Sequence, residues 1–168
     1  DSTAAHTHTL PNLQAELDMV RFDKAVLHPI AINLIQPDNM TEHWKGAIDA
    51  GKFGARIISF CSVHPKASNP VEQLRAYHKQ GFRGLKFHPT MMKVSPEDPK
   101  AMEIFQECDK LKMMVFFHAG RAGIEPEESR PFAEMEHYEK PLKEFPNLDF
   151  VFGHSGCRDW RKALDLAK

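Results

Sequence analysis

The sequence predicts an α/β fold in which strands and helices alternate around a barrel with a parallel sheet. Short apolar runs alternate with helical patterns at intervals of about 25 to 36 residues, as in successive βαβ units. The apolar runs are continuous, as expected of strands that are buried on both faces. No glycine-rich phosphate-binding loop is present, which disfavours a dinucleotide-binding or P-loop fold and favours a barrel.

Six strands are predicted. The first is AAHTH, residues 4–8, and five runs rich in Val, Ile, Phe and Met supply the others. These runs are residues 24–28, 55–64, 82–88, 112–118 and 148–154. Six βα units in 168 residues fall short of the eight units and roughly 250 residues of a closed barrel. We therefore expect one barrel domain over residues 1–168 that lacks its last two βα units or is interrupted by missing segments, whereas a naturally shortened barrel would leave an open hydrophobic edge.

The segments between the strands carry helix signals. Asn69 and Asp98 are each followed by proline, which is typical of a helix N-cap and first turn. Residues 130–146 form a further helical region that Pro141 is expected to interrupt. Helices are also expected in residues 10–22, 40–51 and 159–168.

Composition excludes several classes of function. Lys and Arg number 22 against 23 Asp and Glu, with no basic stripe, so nucleic acid is not an expected partner. No stretch approaches the roughly 20 apolar residues of a membrane span and no signal peptide is visible, so a cytoplasmic protein without membrane contact is expected. Cys61, Cys108 and Cys157 are scattered and are expected to be free thiols. The expected partner is a small-molecule substrate, and assembly into a homo-oligomer is left open.

The histidines show the clearest pattern in the sequence. Seven of the ten lie at the carboxyl end of a predicted strand: His6, His8, His28, His64, His88, His118 and His154. The carboxyl ends of parallel strands form one face, where barrel enzymes place their chemistry. We therefore expect these side chains to meet at one rim.

The spacing within this set predicts a metal site. His6 and His8 lie two residues apart on one strand, so their side chains leave the same face about 7 Å apart and can share one ion. His118 and His154 are each followed by small residues, HAG and HSG, which we expect to leave space for a ligand. Imidazoles suit zinc, and an open coordination position would hold a water whose pKa falls towards 7.

Other histidines have simpler explanations. His28, His64 and His88 precede proline, which by itself holds the end of a strand extended. For His28 and His64 we expect only this structural role, whereas His88 shares a strand face with Lys86, so that both are expected in the site. Three histidines fall within helical segments and are expected to be solvated: His43, His78 and His137.

Four motifs together resemble the amidohydrolase superfamily, most closely its amidohydrolase-related branch of metal-dependent hydrolases and decarboxylases. They are HTH at 6–8, GFRGLKFHP at 81–89, VFFHAG at 115–120 and FVFGHSG at 150–156. The motifs follow the family order over nearly the whole chain. The resemblance implies a distorted, TIM-like (β/α)8 barrel with one or two metal ions, usually zinc, at its carboxyl-terminal mouth.

The resemblance also implies roles for individual residues. His6 and His8 match the first-strand metal ligands, and His118 matches the fifth-strand ligand. His154 matches a histidine that binds a second metal or polarises water and substrate. Lys86 lies where some members carry a carboxylated lysine that bridges two metals, and where a lysine in this branch can instead contact the substrate.

Two departures from the family pattern matter. The family has an aspartate after strand eight that binds metal and acts as general base, and no residue here corresponds to it. Asp159 and Asp165 follow the sixth strand too closely for that role. Ala4 stands where an acidic residue is common, two positions before the first histidine.

Three functions stay open at this point. The leading hypothesis is a metal-dependent hydrolase that uses activated water to attack an amide, ester or lactone carbonyl. The second is a non-oxidative decarboxylase of an aromatic or unsaturated carboxylic acid, with Arg121 as a partner for the carboxylate. The third is an inactive barrel that serves as a binding module. The predicted site consists of the metal ligands His6, His8, His118 and His154, the catalytic residues His154 and Lys86, and the substrate contacts His88 and Arg121.

Overall fold

The fold follows the predicted alternation of strands and helices. The structure is a computed structural model, and it describes residues 9–32, 40–50 and 54–168. The elements are α1 (Leu10–Val20), β1 (Ala25–Leu27), α2 (Met40–Asp49), β2 (Ile57–Ser59), α3 (Pro70–Lys79), β3 (Gly84–Phe87), α4 (Pro89–Met92), α5 (Pro99–Leu111), β4 (Met114–His118), α6 (Glu139–Glu144), β5 (Phe150–Gly153) and α7 (Trp160–Leu166). The predicted first strand, with His6 and His8, lies outside the described residues, so β1 to β5 correspond to predicted strands two to six.

The strand pairings are parallel and follow the order of the chain. β1 pairs with β2, and β3, β4 and β5 pair in that order. A parallel bridge between Cys61 and Leu85 joins these two sheets, and the Lys86 N–H donates to the Cys61 carbonyl at 2.7 Å. Such an order is that of consecutive strands in a (β/α) barrel, which confirms the predicted fold class.

The middle strands present two different faces. Leu85, Phe87, Val115 and Phe117 are fully buried, and the Phe87 and Phe117 rings pack against Phe105 of α5 at centroid distances of 5.2 and 5.5 Å. Because side chains alternate along a strand, the neighbouring residues of β3 and β4 face the other way, into the barrel. That second face carries the candidate site.

The helices begin largely where the sequence places them. The Asp98 side chain accepts from the Lys100 N–H at 2.9 Å at the start of α5, whereas the Asn69 side chain makes no such bond. The break expected at Pro141 was wrong, because this residue lies buried in the first turn of α6, where no helical N–H partner is needed. The helical region is interrupted instead at Glu134, whose backbone is extended between two short 3₁₀ helices. None of the helices in the described ranges is long and apolar enough to cross a membrane.

The edge of β5 is open within the described chain. This strand pairs with β4 on one side only, and beside it lies a cleft of about 630 Å³. Apolar residues line much of the cleft: Leu142, Leu148, Phe150, Val151, Trp160 and Leu164. An open apolar edge of this kind agrees with an incomplete barrel.

Candidate active site

The ends of β3, β4 and β5 bring three histidines into one row. His118 is the last residue of β4, and its imidazole stacks on that of His88 with ring centroids 3.8 Å apart and planes 11° apart. The imidazole of His154 meets His118 edge-on, with a centroid distance of 4.6 Å and planes at 68°. In the strand register His118 pairs with Gly153, so the residue that follows Gly153 necessarily lies beside it. The structure therefore places His88, His118 and His154 together at the carboxyl ends of the strands.

The glycines after two of these histidines hold the loops against each other. A Cβ added to Gly120 would collide with the carbonyl oxygen of Gly156, and both glycines have left-handed backbones with φ of +76° and +78°. The expectation that HAG and HSG leave space for a ligand is therefore wrong at the glycines, because the Gly156 carbonyl occupies the space beside Gly120 and the Ala163 side chain occupies the space beside Gly156. His154 and Ser155 also have positive φ, 57° and 50°, a costly conformation for residues with a Cβ.

Two further contacts fix the same loops. The buried Tyr138 hydroxyl donates to the His118 carbonyl at 2.9 Å, and burial raises the pKa of this phenol. The Arg121 guanidinium Nε lies 2.9 Å from Asp159 Oδ2, which also accepts from the Arg121 backbone N–H at 3.0 Å. Arg121 was predicted to contact substrate, and the structure pairs it with Asp159 while leaving half of its side chain exposed. A substrate role for Arg121 stays a prediction.

Glu125, in the loop after β4, was not predicted from the sequence as a site residue. Its carboxylate accepts from the Ala122 and Gly123 N–H groups, the latter at 2.6 Å. The negative charge of Glu125 raises the pKa of His118 and so offsets part of the lowering caused by burial. The only signal in the sequence was an acidic residue in the loop that follows a site histidine.

Two members of the histidine row, His88 and His118, are neutral near pH 7. Burial, followed by the charges of Lys86 and His154, lowers the pKa of His118 to about 4. Burial, followed by the charges of His118 and Lys86, lowers the pKa of His88 to about 3. His88 Nδ1 accepts from the Met91 N–H at 3.5 Å and lies 3.0 Å from the Thr90 hydroxyl. This pattern assigns the proton of neutral His88 to Nε2.

A second layer of side chains lies beneath the row. Lys86 pairs in register with Phe116, two residues before His118, and its Nζ lies 4.6 Å from the centroid of the Phe116 ring. The Lys86 side chain is 4% exposed, no carboxylate of the described residues pairs with it, and burial lowers its pKa to about 8. His28 stacks on the same Phe116 ring at 4.2 Å and meets Phe60 edge-on at 5.1 Å.

Proline alone does not explain the position of His28. Its Nδ1 is buried and has no hydrogen-bond partner among the described residues. Burial, followed by the charge of Lys86, lowers its pKa to about 4. By contrast, His64 has a full structural role, because Nε2 donates to the Met92 carbonyl at 3.2 Å and Nδ1 accepts from the Lys66 N–H at 3.1 Å.

The helical histidines differ from one another. His43 is exposed as expected. The expectation that His137 is merely solvated was wrong, because Nδ1 lies 2.9 Å from the Glu97 carboxylate and Nε2 lies 2.9 Å from the Pro131 carbonyl. His137 therefore ties the 3₁₀ segment after β4 to the loop before α5.

The described residues include two of the four predicted metal ligands. In the ranges that the structure covers, no group of three or more His, Cys, Asp or Glu side chains is arranged to hold an ion. The predicted ligands His6 and His8 lie outside those ranges. The adjacent imidazoles of His118 and His154 fit half of the predicted four-histidine set. Burial keeps His118 neutral, and neutral imidazole nitrogen is the form that binds transition metals.

Comparison with known proteins agrees with this architecture. Residues 11–168 match the model of a protein family described as Amidohydrolase. None of the curated proteins matches the chain.

Several solved structures share the fold of the chain. An uncharacterized TIM-barrel protein from Bordetella bronchiseptica has a TM-score of 0.74 at 16% identity, over 98% of this chain and 57% of that chain. A probable 2-pyrone-4,6-dicarboxylic acid hydrolase from Acinetobacter baumannii, with citric acid bound, has a TM-score of 0.61 at 17% identity, over 94% and 55%. A 5-carboxyvanillate decarboxylase from Novosphingobium aromaticivorans, with manganese and 3-methoxy-4-hydroxy-5-nitrobenzoic acid bound, has a TM-score of 0.64 at 17% identity, over 92% and 56%. The chain thus spans little more than half the length of these proteins, and at such identities the likeness shows the fold alone.

Proposed function

The chain belongs to the amidohydrolase family, and on that premise we propose that it is a metal-dependent hydrolase acting on the carbonyl of a small amide, ester or lactone. The observation that carries the proposal is the row of imidazoles from three consecutive strands, with His118 between His88 and His154. The carboxyl ends of barrel strands are where enzymes of this architecture perform chemistry.

In this proposal His6, His8 and His118 would hold a divalent ion, most simply zinc, and His154 would assist or bind a second ion. When bound, such an ion would supply Lewis acidity, which lowers the pKa of water and polarises a carbonyl. The low pKa of His118 keeps a nitrogen lone pair available without loss of a proton at neutral pH. Manganese in one structural neighbour is a reason to test that ion beside zinc.

The remaining site residues act on water and substrate. His154 is exposed at the mouth and lies edge-on to His118, so it can hydrogen-bond to the attacking water or to the developing oxyanion. His88 carries its proton on Nε2 and can donate it to a substrate oxygen. Lys86 would either contact the substrate through its ammonium or, if carboxylated, serve as a ligand to the metal.

Metal analysis combined with assays of lactone and ester hydrolysis tests the proposal. We expect one or two ions per chain, and we expect a double variant, His6→Ala with His8→Ala, to lose both metal and activity. His43→Ala changes an exposed histidine on α2 and is the matched control, which should retain both. Full metal content in the double variant would reject the ligand assignment.

Replacement of Lys86 separates its two roles. If Lys86→Met loses one of two metal equivalents, the lysine bridges the ions. If the variant keeps its metal and shows a raised KM, the ammonium contacts the substrate. We expect the second result, because Lys86 lies over the Phe116 ring, one layer beneath the histidine row.

A non-oxidative decarboxylase of an aromatic or unsaturated carboxylic acid is the second candidate. The observation in its favour is the ammonium of Lys86, which is buried and has no carboxylate partner among the described residues. Arg121, the earlier candidate for this contact, pairs with Asp159. Release of carbon dioxide from such acids, without hydrolysis of esters or lactones, would favour this function over the first.

A further inference from the structure

We propose that Lys86 and His28, with the ring of Phe116, form a subsite for a carboxylate carried on a flat, unsaturated part of the substrate. The inference rests on the proposed function, because it assigns a substrate class to the same site. It concerns the layer beneath the histidine row, where the sequence predicted no role for His28.

Lys86 provides the charge for this subsite. A buried ammonium is costly unless an anion or several hydrogen bonds compensate it. The described residues offer it no carboxylate, and its Nζ lies over the face of the Phe116 ring, 4.6 Å from the centroid. An anionic ligand oxygen would supply the missing partner.

His28 provides a second, uncharged contact. Buried polar atoms without a hydrogen-bond partner are rare in native proteins, and His28 Nδ1 is such an atom within the described chain. The ring stacks on the same Phe116 that Lys86 contacts. In the tautomer with a proton on Nδ1, His28 donates one hydrogen bond. A carboxylate accepts from two donors at once, one on each oxygen, whereas an amide offers a single uncharged oxygen.

The aromatic walls determine the shape of the ligand. Phe116 and Phe60 both contact the His28 ring, and each occupies space that a glycine leaves free. A Cβ on Gly84 would collide with Phe60, and a Cβ on Gly153 would collide with Phe116. Flat unsaturated groups pack favourably against such ring faces.

Depth separates this subsite from the reacting centre. Lys86 and Phe116 precede His88 and His118 by two residues on their strands, which corresponds to roughly 6 to 7 Å. A carboxylate bound at this depth therefore anchors the substrate and leaves a second group of the same molecule to reach the histidine row.

Benzoate and benzamide test the inference, because they have the same flat shape and differ in charge. Their binding to the full chain, with metal removed by a chelator, is measured by calorimetry. We expect benzoate to bind about tenfold more tightly, as a charge-assisted hydrogen bond predicts. His28→Leu and Lys86→Met should each remove most of this preference. His28→Asn, whose amide places a donor near the position of Nδ1, should retain it, as should the control His43→Leu.

Equal affinity of the wild-type protein for the two probes would overturn the inference, and so would a preference that His28→Leu leaves unchanged. The comparison of benzoate with benzamide on the wild-type protein needs no substitution. It therefore tests the proposal even if a variant fails to fold. Metal-dependent hydrolysis without a preference for benzoate would refute the subsite alone. A preference for benzoate without metal binding or hydrolysis would refute the proposed function and leave the subsite in place.

Discussion

The imidazole of His88 lies flat against that of His118, with ring centroids 3.8 Å apart and planes 11° apart. Two neutral rings can stack in this way, whereas two imidazolium ions would repel each other. Burial and then neighbouring charges lower the pKa to about 3 for His88 and to about 4 for His118. The fold therefore holds both rings in the neutral form, in which one ring nitrogen keeps the free lone pair that a metal ligand needs.

Acid should destabilise the metal-free protein. An unfolded histidine has a pKa near 6.5, and folded His88 has a pKa of about 3, so the unfolded state binds more protons between these values. The free energy of unfolding therefore falls as the pH drops below about 6.5, by up to about 1.4 kcal/mol per pH unit from His88. Urea unfolding between about pH 7 and pH 5 checks this, and His88→Asn should lessen the slope. A free energy that stays flat over this range would contradict the prediction.

Replacement of Lys86 by methionine should stabilise the ligand-free fold while it impairs function. Burial lowers the pKa of this lysine from 10.5 to about 8, so the fold disfavours its charged form. At neutral pH the free energy of unfolding of Lys86→Met should exceed that of the wild-type protein by about 3 kcal/mol. This difference should vanish as the pH rises from about 8 to 10.5, because the unfolded lysine then also becomes neutral. Urea unfolding measures this difference. Lys79→Met changes an exposed lysine on α3 and is the control, which should alter the free energy of unfolding by less than about 0.5 kcal/mol. Loss of stability in Lys86→Met at neutral pH would show that this lysine has a partner in the folded chain.

A methyl group at Gly120 should disrupt the site. The added Cβ would collide with the Gly156 carbonyl oxygen, and the left-handed backbone adds strain. We expect Gly120→Ala to lower the free energy of unfolding by about 2 kcal/mol or more and to reduce metal affinity, because His118 and His154 would separate. Gly46→Ala is the matched control. Its Cβ meets nothing within 4 Å and it lies in α2, so it should stabilise the protein by up to about 1 kcal/mol. Unchanged metal affinity in Gly120→Ala would contradict this view of the loops.

Arg121 and Asp159 should act as a unit that fastens the loops after β4 and β5. We expect Arg121→Gln and Asp159→Asn each to destabilise the protein, with a coupling of about 0.5 to 1 kcal/mol in the double variant, since the guanidinium is half exposed. Chemical denaturation of the four proteins measures this coupling. If the two losses are simply additive, the pair does not stabilise the loops. A rise in KM for Arg121→Gln that Asp159→Asn lacks would assign Arg121 to the substrate.

Strands and helices could be predicted because their signals are local. Continuous apolar runs, N-capping residues followed by proline, and strand-end histidines each depend on a few adjacent residues. The third predicted strand shows the limit of this approach, since residues 55–64 contain only the short β2, Ile57–Ser59. Beyond β2 the backbone pairing continues through the bridge between Cys61 and Leu85. After it, the Ser62 hydroxyl donates to the Lys86 carbonyl and accepts from the Ala31 N–H, both at 3.0 Å. A local apolar pattern does not predict such contacts between distant residues.

The site was predictable only in part for the same reason. That His88, His118 and His154 share one rim follows from strand ends alone. The place of His28 depends on Phe116, which lies far along the chain, and the role of Asp159 depends on where the loop after β4 passes. Contacts between distant segments leave no periodic trace in a sequence.

Phe87 and Phe117 alternate with Lys86 and His118 on adjacent strands, and this alternation protects the site against a slip of register. A shift of β4 by one residue would turn His118 towards the helices and expose a phenylalanine at the mouth, at the cost of the buried aromatic packing. The apolar layer on the outer side thus fixes the register that directs His118 to the inner side. Substitution of Phe105 should therefore disturb the histidine row, although Phe105 lies on the opposite face of the sheet.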